Sequence, residues 1–273
     1  MSVSPSLDPL VTRLRAVGCV FAEDEARLLV AGARTPAELD AMVAMRVAGL
    51  PLEHVLGWAE FCGLRIAVDP GVFVPRRRTE FLVRQAVSLA SPGVVVLDLC
   101  CGSGALGLAV ASALGEVELH ATDIDPVAVR CAVRNIAAVG GRAYVGDVYQ
   151  SLPTTLLGRV DLLLANAPYV PSGKVALMPP EAREHEPRVA LDGGSDGLEV
   201  LRRVAAEAPR WLASGGHLLV ETGERQAPRI VDIFAVAGLV PRVARCDEPE
   251  ATVVIGTRPW EATTSRPGPP AVP

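Results

Sequence analysis

The spacing of apolar and polar positions changes along this chain, and the changes divide it. Residues 8–50 run at a helical spacing. Asp8-Pro9 opens a first helix that Gly18 closes, residues 23–33 make a second, and Thr35-Pro36-Ala37-Glu38 opens a third. That tetrapeptide sets a capping threonine, a proline in the first turn and a glutamate three places on, a capping box. Gly49 and Pro51 end the helix. Residues 58–68 alternate on either side of Cys62-Gly63, which predicts a hairpin. Beyond it the period switches repeatedly between that of a helix and that of a buried strand. Strands are predicted at 94–99, 117–122, 142–145, 160–165, 217–222, 240–246 and 251–257. Helices are predicted at 80–90, from about 105, and at 126–138, 197–209 and 224–237. Short β-branched runs alternating with helices imply a sheet covered on both faces. The stretch 170–196 holds Pro171, Pro179, Pro180 and Pro187 and reads as a long loop, a length that usually carries function or disorder. The expected organisation is a helical unit over 1–56, a linking hairpin over 57–74, the main domain over 75–258 and a proline-rich, disordered tail over 259–273.

Residues 94–115 are apolar enough to raise a membrane span. Asp98 and three glycines between 102 and 107 fit a strand, turn and helix better. The chain has 273 residues, half of them apolar, enough for one large α/β domain with a smaller attachment. A net charge of −5 excludes a protein held to nucleic acid by its overall charge. The six cysteines form no CxxC pair and no metal-ligand spacing with the four histidines, so they read as thiols in a reducing compartment with no metal. The N-terminus lacks a basic segment followed by an apolar core, so a cytoplasmic location is expected.

The candidate chemistry sits at strand ends. After the first strand of the main domain, Gly102 and Gly104 open a turn where a ligand could approach the backbone. Asp123 ends the next strand, about 20 residues on, where a carboxylate accepts hydrogen bonds from ribose hydroxyls. Asp147 follows the third strand and could accept from an exocyclic adenine amine. The fourth strand runs into Asn166-Ala167-Pro168-Tyr169. Asn166 brings an acceptor and a donor. Pro168 holds Ala167 extended, which can turn its carbonyl to a cleft. Tyr169 adds a flat face. Two carbonyl acceptors side by side could grip a planar NH₂ group. Arg76, Arg77 and Arg78 make a basic run just before the cofactor region, a candidate rim for docking a partner.

Taken together these residues resemble a class I S-adenosylmethionine-dependent methyltransferase, and more narrowly the HemK-type protein-glutamine methyltransferases that modify peptide-chain release factors. The resemblance spans roughly 46–257. It rests on Pro51-Leu52 with Gly57, the stretch from Pro75-Arg76 to Thr79-Glu80, the 97–104 turn, Asp123, Asp147 and the Asn166 tetrapeptide. Leu191-Asp192-Gly193-Gly194, Asp196-Gly197-Leu198 and the stretch 221–226 complete it. It implies a Rossmann-like α/β fold with a seven-stranded sheet and a small N-terminal helical domain that docks the substrate. It implies S-adenosyl-L-methionine as cofactor, held by Asp98, Cys100, Gly102, Ser103, Gly104, Asp123, Asp147, Val148 and Asn166. It makes Asn166, Ala167, Pro168 and Tyr169 the catalytic set. The implied partner is a release factor-like protein with an exposed glutamine, with no membrane and no direct nucleic-acid contact. Three departures stand out. Ala167 replaces a proline, Cys100-Cys101 replaces Gly-Thr, and Arg77-Arg78 replaces a proline and an acidic residue. Rival readings are an amino-methyltransferase acting on a nucleic-acid base, a non-catalytic cofactor-binding paralogue, and a nicotinamide dehydrogenase.

Overall fold

The computed structural model describes residues 7–260. Helices α1 (Asp8–Ala16), α2 (Ala22–Gly32), α3 (Pro36–Val47) and α4 (Leu52–Leu56) come first. They share a hydrophobic cluster built on Leu14, Ala26, Leu29, Met42 and Val43. The predicted cap is present in part. Thr35 Oγ1 accepts from the Glu38 amide at 3.1 Å, but Glu38 reaches back to the Arg34 amide rather than to that of Thr35. Strands β1 (Trp58–Phe61) and β2 (Leu64–Ala67) form the hairpin, turning on Cys62 and Gly63, both at positive φ. Helix α5 (Glu80–Leu89) then leads into the main sheet.

The main sheet holds β3 (Val95–Leu99), β4 (Glu118–Asp123), β5 (Arg142–Val145), β6 (Val160–Ala165), β7 (Leu212–Thr222), β8 (Val240–Cys246) and β9 (Ala251–Thr257). Their order is β5-β4-β3-β6-β7-β9-β8, and β9 alone runs against its neighbours. All five residues of β3 are buried, as expected for a central strand covered on both faces. One face carries α5, α6 (Ala105–Leu114) and α7 (Pro126–Ile136), through Leu82, Ala86, Leu106, Val110 and Ile136. The other carries α10 (Glu199–Trp211) and α11 (Ala227–Val236), through Leu201, Val204, Ala208, Ile230 and Phe234. The hairpin packs on α7, where Ala59, Val68 and Val72 meet Ala128 and Cys131.

Strand order reverses between β3 and β6. There the chain leaves one strand toward β4 and the other toward β7, so a crevice opens at their carboxyl ends. The register makes it specific: Leu99 lies between Thr122 of β4 and Ala165 of β6, and Asp123 lies opposite Val145 of β5. The glycine turn, Asp123, Asp147 and Asn166 therefore start from neighbouring strand ends.

Three expectations differ from the structure. The stretch 170–196 is not a plain loop: a 3₁₀ turn (Ser172–Leu177) precedes α8 (Pro180–His185) and α9 (Arg188–Leu191). Residues 212–222 form one strand, with Gly215-Gly216 in a bulge beside Val160 rather than a turn before the strand. Pro209 does not end α10, because buried Ala208 and Trp211 hold the last turn and Trp211 stacks on Tyr149. Among the described residues no helix is long and apolar enough to cross a membrane. Most of the tail expected at 259–273 lies outside the described residues.

Candidate active site

A cavity of about 310 Å³ occupies the crevice. The turn after β3 forms its floor, with Cys100 and Gly102 both at φ +54° and on the wall. Gly102 is open to the cavity, for a Cβ there would meet nothing nearer than Phe73 Cβ at 4.0 Å. Its amide donates to Asp123 Oδ2 at 2.8 Å, and the Asp125 amide donates to Asp123 Oδ1 at 2.9 Å. Two backbone donors thus fix the Asp123 carboxylate and leave each oxygen a further lone pair for a ligand. Burial pushes the pKa of Asp123 up, opposed by those same donors. Ser103 is also on the wall, and its carbonyl is held by Asn135 of α7 at 2.8 Å. Asn135 grips both the amide and the carbonyl of Ala67, tying hairpin to turn. Nothing in the local sequence marked it, because its partners are 32 and 68 residues away.

Two expected cofactor residues work from behind the wall. Gly104 is not on the cavity: a Cβ there would press on Ile136 Cγ2 at 3.1 Å and Ala132 Cβ at 3.2 Å. Its glycine lets α6 pack on α7, which corrects the expectation that a ligand approaches here. Asp98 is fully buried and off the wall. Its Oδ2 accepts from the Gly107 amide at 2.9 Å, its Oδ1 has no partner, and burial pushes its pKa up to about 7. Asp147 is on the wall but not alone, for its Oδ2 accepts from Arg203 of α10 at 2.7 Å. Arg203 is a wall residue the sequence did not mark. Val148, at φ +54°, carries the wall past it.

The tetrapeptide lines the other end. Asn166, Ala167, Pro168 and Tyr169 all face the cavity, and among the described residues no side chain or backbone group hydrogen-bonds the Asn166 amide. The structure explains two glycines of the 193–197 loop. A Cβ on Gly193 would lie 2.5 Å from the Pro168 carbonyl oxygen, and one on Gly197 would lie 2.3 Å from that of Tyr169. The loop packs backbone to backbone on the tetrapeptide, with the Val170 amide donating to the Leu191 carbonyl at 3.1 Å and the Gly193 amide to the Val170 carbonyl at 2.9 Å. Gln226 Nε2 bridges tetrapeptide and loop, donating to the Tyr169 carbonyl at 3.2 Å and to the Asp196 carbonyl at 3.4 Å. Two of the three arginines of the run are held by buried carboxylates rather than free at a docking rim. Arg76 pairs with Glu186 at 2.6 Å and Arg78 with Glu221 at 2.8 Å, both carboxylates almost wholly buried.

A doubly wound sheet with one reversed strand, a glycine turn beside a carboxylate fixed by backbone donors, and an Asn-Ala-Pro-Tyr lip define a class I methyltransferase that uses S-adenosylmethionine. The residues present fit that cofactor. The cavity has the size of a small-molecule site, Gly102 leaves room against the turn, and Asp123 has acceptor positions to spare. A model of the methyltransferase small domain matches residues 63–179. A methyltransferase from Pyrococcus furiosus superposes with a TM-score of 0.54 at 17% identity, covering 81% of this chain and 98% of that one, which shows the fold. Release factor glutamine methyltransferases from Geobacter sulfurreducens and Mycolicibacterium smegmatis are each 37% identical, over 82% and 86% of this chain and 79% and 83% of their own. A 4-amino-L-phenylalanine/4-methylamino-L-phenylalanine methyltransferase from Streptomyces pristinaespiralis is 33% identical over 87% of this chain and 88% of its own. The chain belongs to the release factor glutamine methyltransferase family.

Proposed function

We propose that this protein methylates the side-chain amide nitrogen of a glutamine in a peptide-chain release factor. The observation that carries the reading is the placement of Asn166 and Ala167 at the end of β6, on the same cavity wall as the glycine turn and Asp123. Asp123 would hold the cofactor's ribose, and Asp147 and Val148 would flank its adenine. Cys100, Gly102 and Ser103 would line its amino-acid end, with Asp98 and Gly104 holding the turn from behind. When bound, the cofactor supplies a methyl group carried on a positive sulfur.

An amide nitrogen is a poor nucleophile because its lone pair is delocalised. The Asn166 side-chain carbonyl and the Ala167 backbone carbonyl would each accept one N–H of the acceptor NH₂. That grip aims the nitrogen and stabilises positive charge as it develops there. No histidine is among the described residues of the wall. The thiols of Cys100 and Cys101 are pushed up by burial, so neither serves as a base near neutral pH. Orientation and preorganised dipoles carry the rate.

The test is mass spectrometry of a release factor after incubation with the protein and methyl-labelled cofactor. One added methyl on a glutamine is expected. The same two acceptors would also hold an aromatic amine, so 4-amino-L-phenylalanine and a single-stranded oligonucleotide are run alongside. Methylation of either of these, with the release factor untouched, would overturn the glutamine assignment.

A further inference from the structure

Three side chains from distant parts of the chain meet at the acceptor end. Arg78 lies in the 3₁₀ turn Arg77–Thr79, Tyr169 closes the tetrapeptide, and Glu221 is the next-to-last residue of β7. Arg78 Nε donates to Glu221 Oε1 at 2.8 Å, and its terminal nitrogen Nη2 donates to the Tyr169 hydroxyl. The guanidinium carbon also lies 5.7 Å from the centre of the Tyr169 ring. Glu221 is 3% exposed and its other oxygen, Oε2, has no partner. Its ion pair to Arg78 is therefore what neutralises it. Arg78 and Tyr169 are both on the cavity wall, while Glu221 stands behind them.

Only a planar fork serves this arrangement. A guanidinium can donate to a carboxylate and a phenol at once in fixed directions, whereas an ammonium is a point charge on a loose stem. The family resemblance implies an acidic residue at position 78, where this chain carries Arg78. Arg78 also gives the Tyr169 hydroxyl a partner, which a purely stacking ring would not need.

We propose that Arg78 is a positioning residue for methyl transfer: anchored on buried Glu221, it fixes the Tyr169 ring that walls the acceptor group beside Asn166. For the identity of the acceptor this rests on the glutamine reading above. Arg78 does not touch the reacting atoms. It acts by holding Tyr169 still.

The test uses the full chain and two independent readouts. With ¹³C-labelled tyrosine, three tyrosines give three sets of ring signals, and Tyr169→Phe assigns the one that matters. Arg78→Lys keeps a positive charge beside Glu221 and should hold the thermal midpoint close to wild type, while the Tyr169 ring signals shift or broaden. Release-factor methylation by Arg78→Lys should fall about tenfold in kcat, the fold-change of one lost hydrogen bond to a charged group. Tyr169→Phe should fall by a similar factor, and the double variant no further, since both changes break one contact. Cofactor affinity should be unchanged in all three. Unmoved Tyr169 signals in Arg78→Lys, or losses that multiply in the double variant, would overturn the proposal. A wild type that leaves the release factor unmethylated would defeat the glutamine reading, and the tyrosine spectra would still decide the role of Arg78.

Discussion

Arg46 of α3 reaches Glu181 of α8 at 2.5 Å, across 135 residues of chain, while its Nε holds Glu25 of α2 at 2.6 Å. One guanidinium thus ties the N-terminal helices to the segment that packs on the tetrapeptide. Its own side chain is only 8% exposed, and the two carboxylates push its pKa up. Arg46→Ala leaves the mostly buried Glu25 unpaired and should cost about 3 kcal/mol in urea unfolding. Glu181 is half exposed, so Glu181→Ala should cost under about 1 kcal/mol. It should nonetheless raise KM for the protein acceptor, because α8 loses its tie. An unchanged KM would mean the tie has no part in docking.

Asp123→Ala removes the carboxylate fixed by Gly102 and Asp125. Charge-assisted hydrogen bonds to the ribose are worth about 1.5–3 kcal/mol, so cofactor affinity should fall roughly ten- to a hundredfold. Calorimetry measures it, and wild-type affinity in the variant removes the ribose assignment.

Asn166→Ala takes away one preorganised polar group at the acceptor end. Turnover should drop about a hundred- to a thousandfold, with much less change in cofactor affinity. Ala167→Pro should be tolerated, since only the backbone carbonyl is used and Pro168 already restricts residue 167. Single-turnover rates on a release factor compare the two. An Asn166→Ala enzyme as fast as wild type contradicts the mechanism.

Gly193→Ala places a methyl 2.5 Å from the Pro168 carbonyl oxygen and 2.7 Å from that of Gly197. Neither is the end of a flexible side chain, so the tetrapeptide or its supporting loop must shift. Small displacements at a reacting centre cost about a hundredfold, so kcat should fall by that order with cofactor affinity retained. A variant with a normal rate would show that the loop contact does not set the position of Asn166.

Asp98 makes stability depend on pH in a definite direction. Its pKa is about 7 in the folded chain, raised by burial from the ordinary value near 4. Between those values the folded state holds the proton that the unfolded state has released. Its contribution to stability is therefore full below about pH 4 and is lost as pH rises toward 7. Asp98→Asn keeps an acceptor for the Gly107 amide without the charge. Its thermal midpoint should exceed that of wild type by several degrees at pH 8 and match it more closely at pH 4. Parallel curves at the two pH values would show that Asp98 does not titrate in this range.

Much of this protein is written in local pattern. The strand limits of β5, β6, β8 and β9 follow from where apolar runs meet Gly, Pro and Asp. The tetrapeptide and Asp123 stand out because each couples a strand end to a polar residue, a relation of nearest neighbours. Other features needed the tertiary structure because their partners are far apart in sequence. Gly104 reads as a ligand-approach glycine until α7 is seen against it. Arg76 and Arg78 read as a docking rim until Glu186 and Glu221, more than a hundred residues away, are found beneath them. The glycines of 193–197 have no local turn that demands all of them. What demands Gly193 and Gly197 is the backbone of residues 168–169, brought against them by the sheet, while Gly194 makes room for the Glu199 side chain at φ +89°. Sequence fixes which residues can do chemistry, since that depends on side-chain type and short spacing. The fold decides which of them are neutralised, hidden or aimed at the cavity, because burial and ion pairing depend on neighbours the chain order does not reveal.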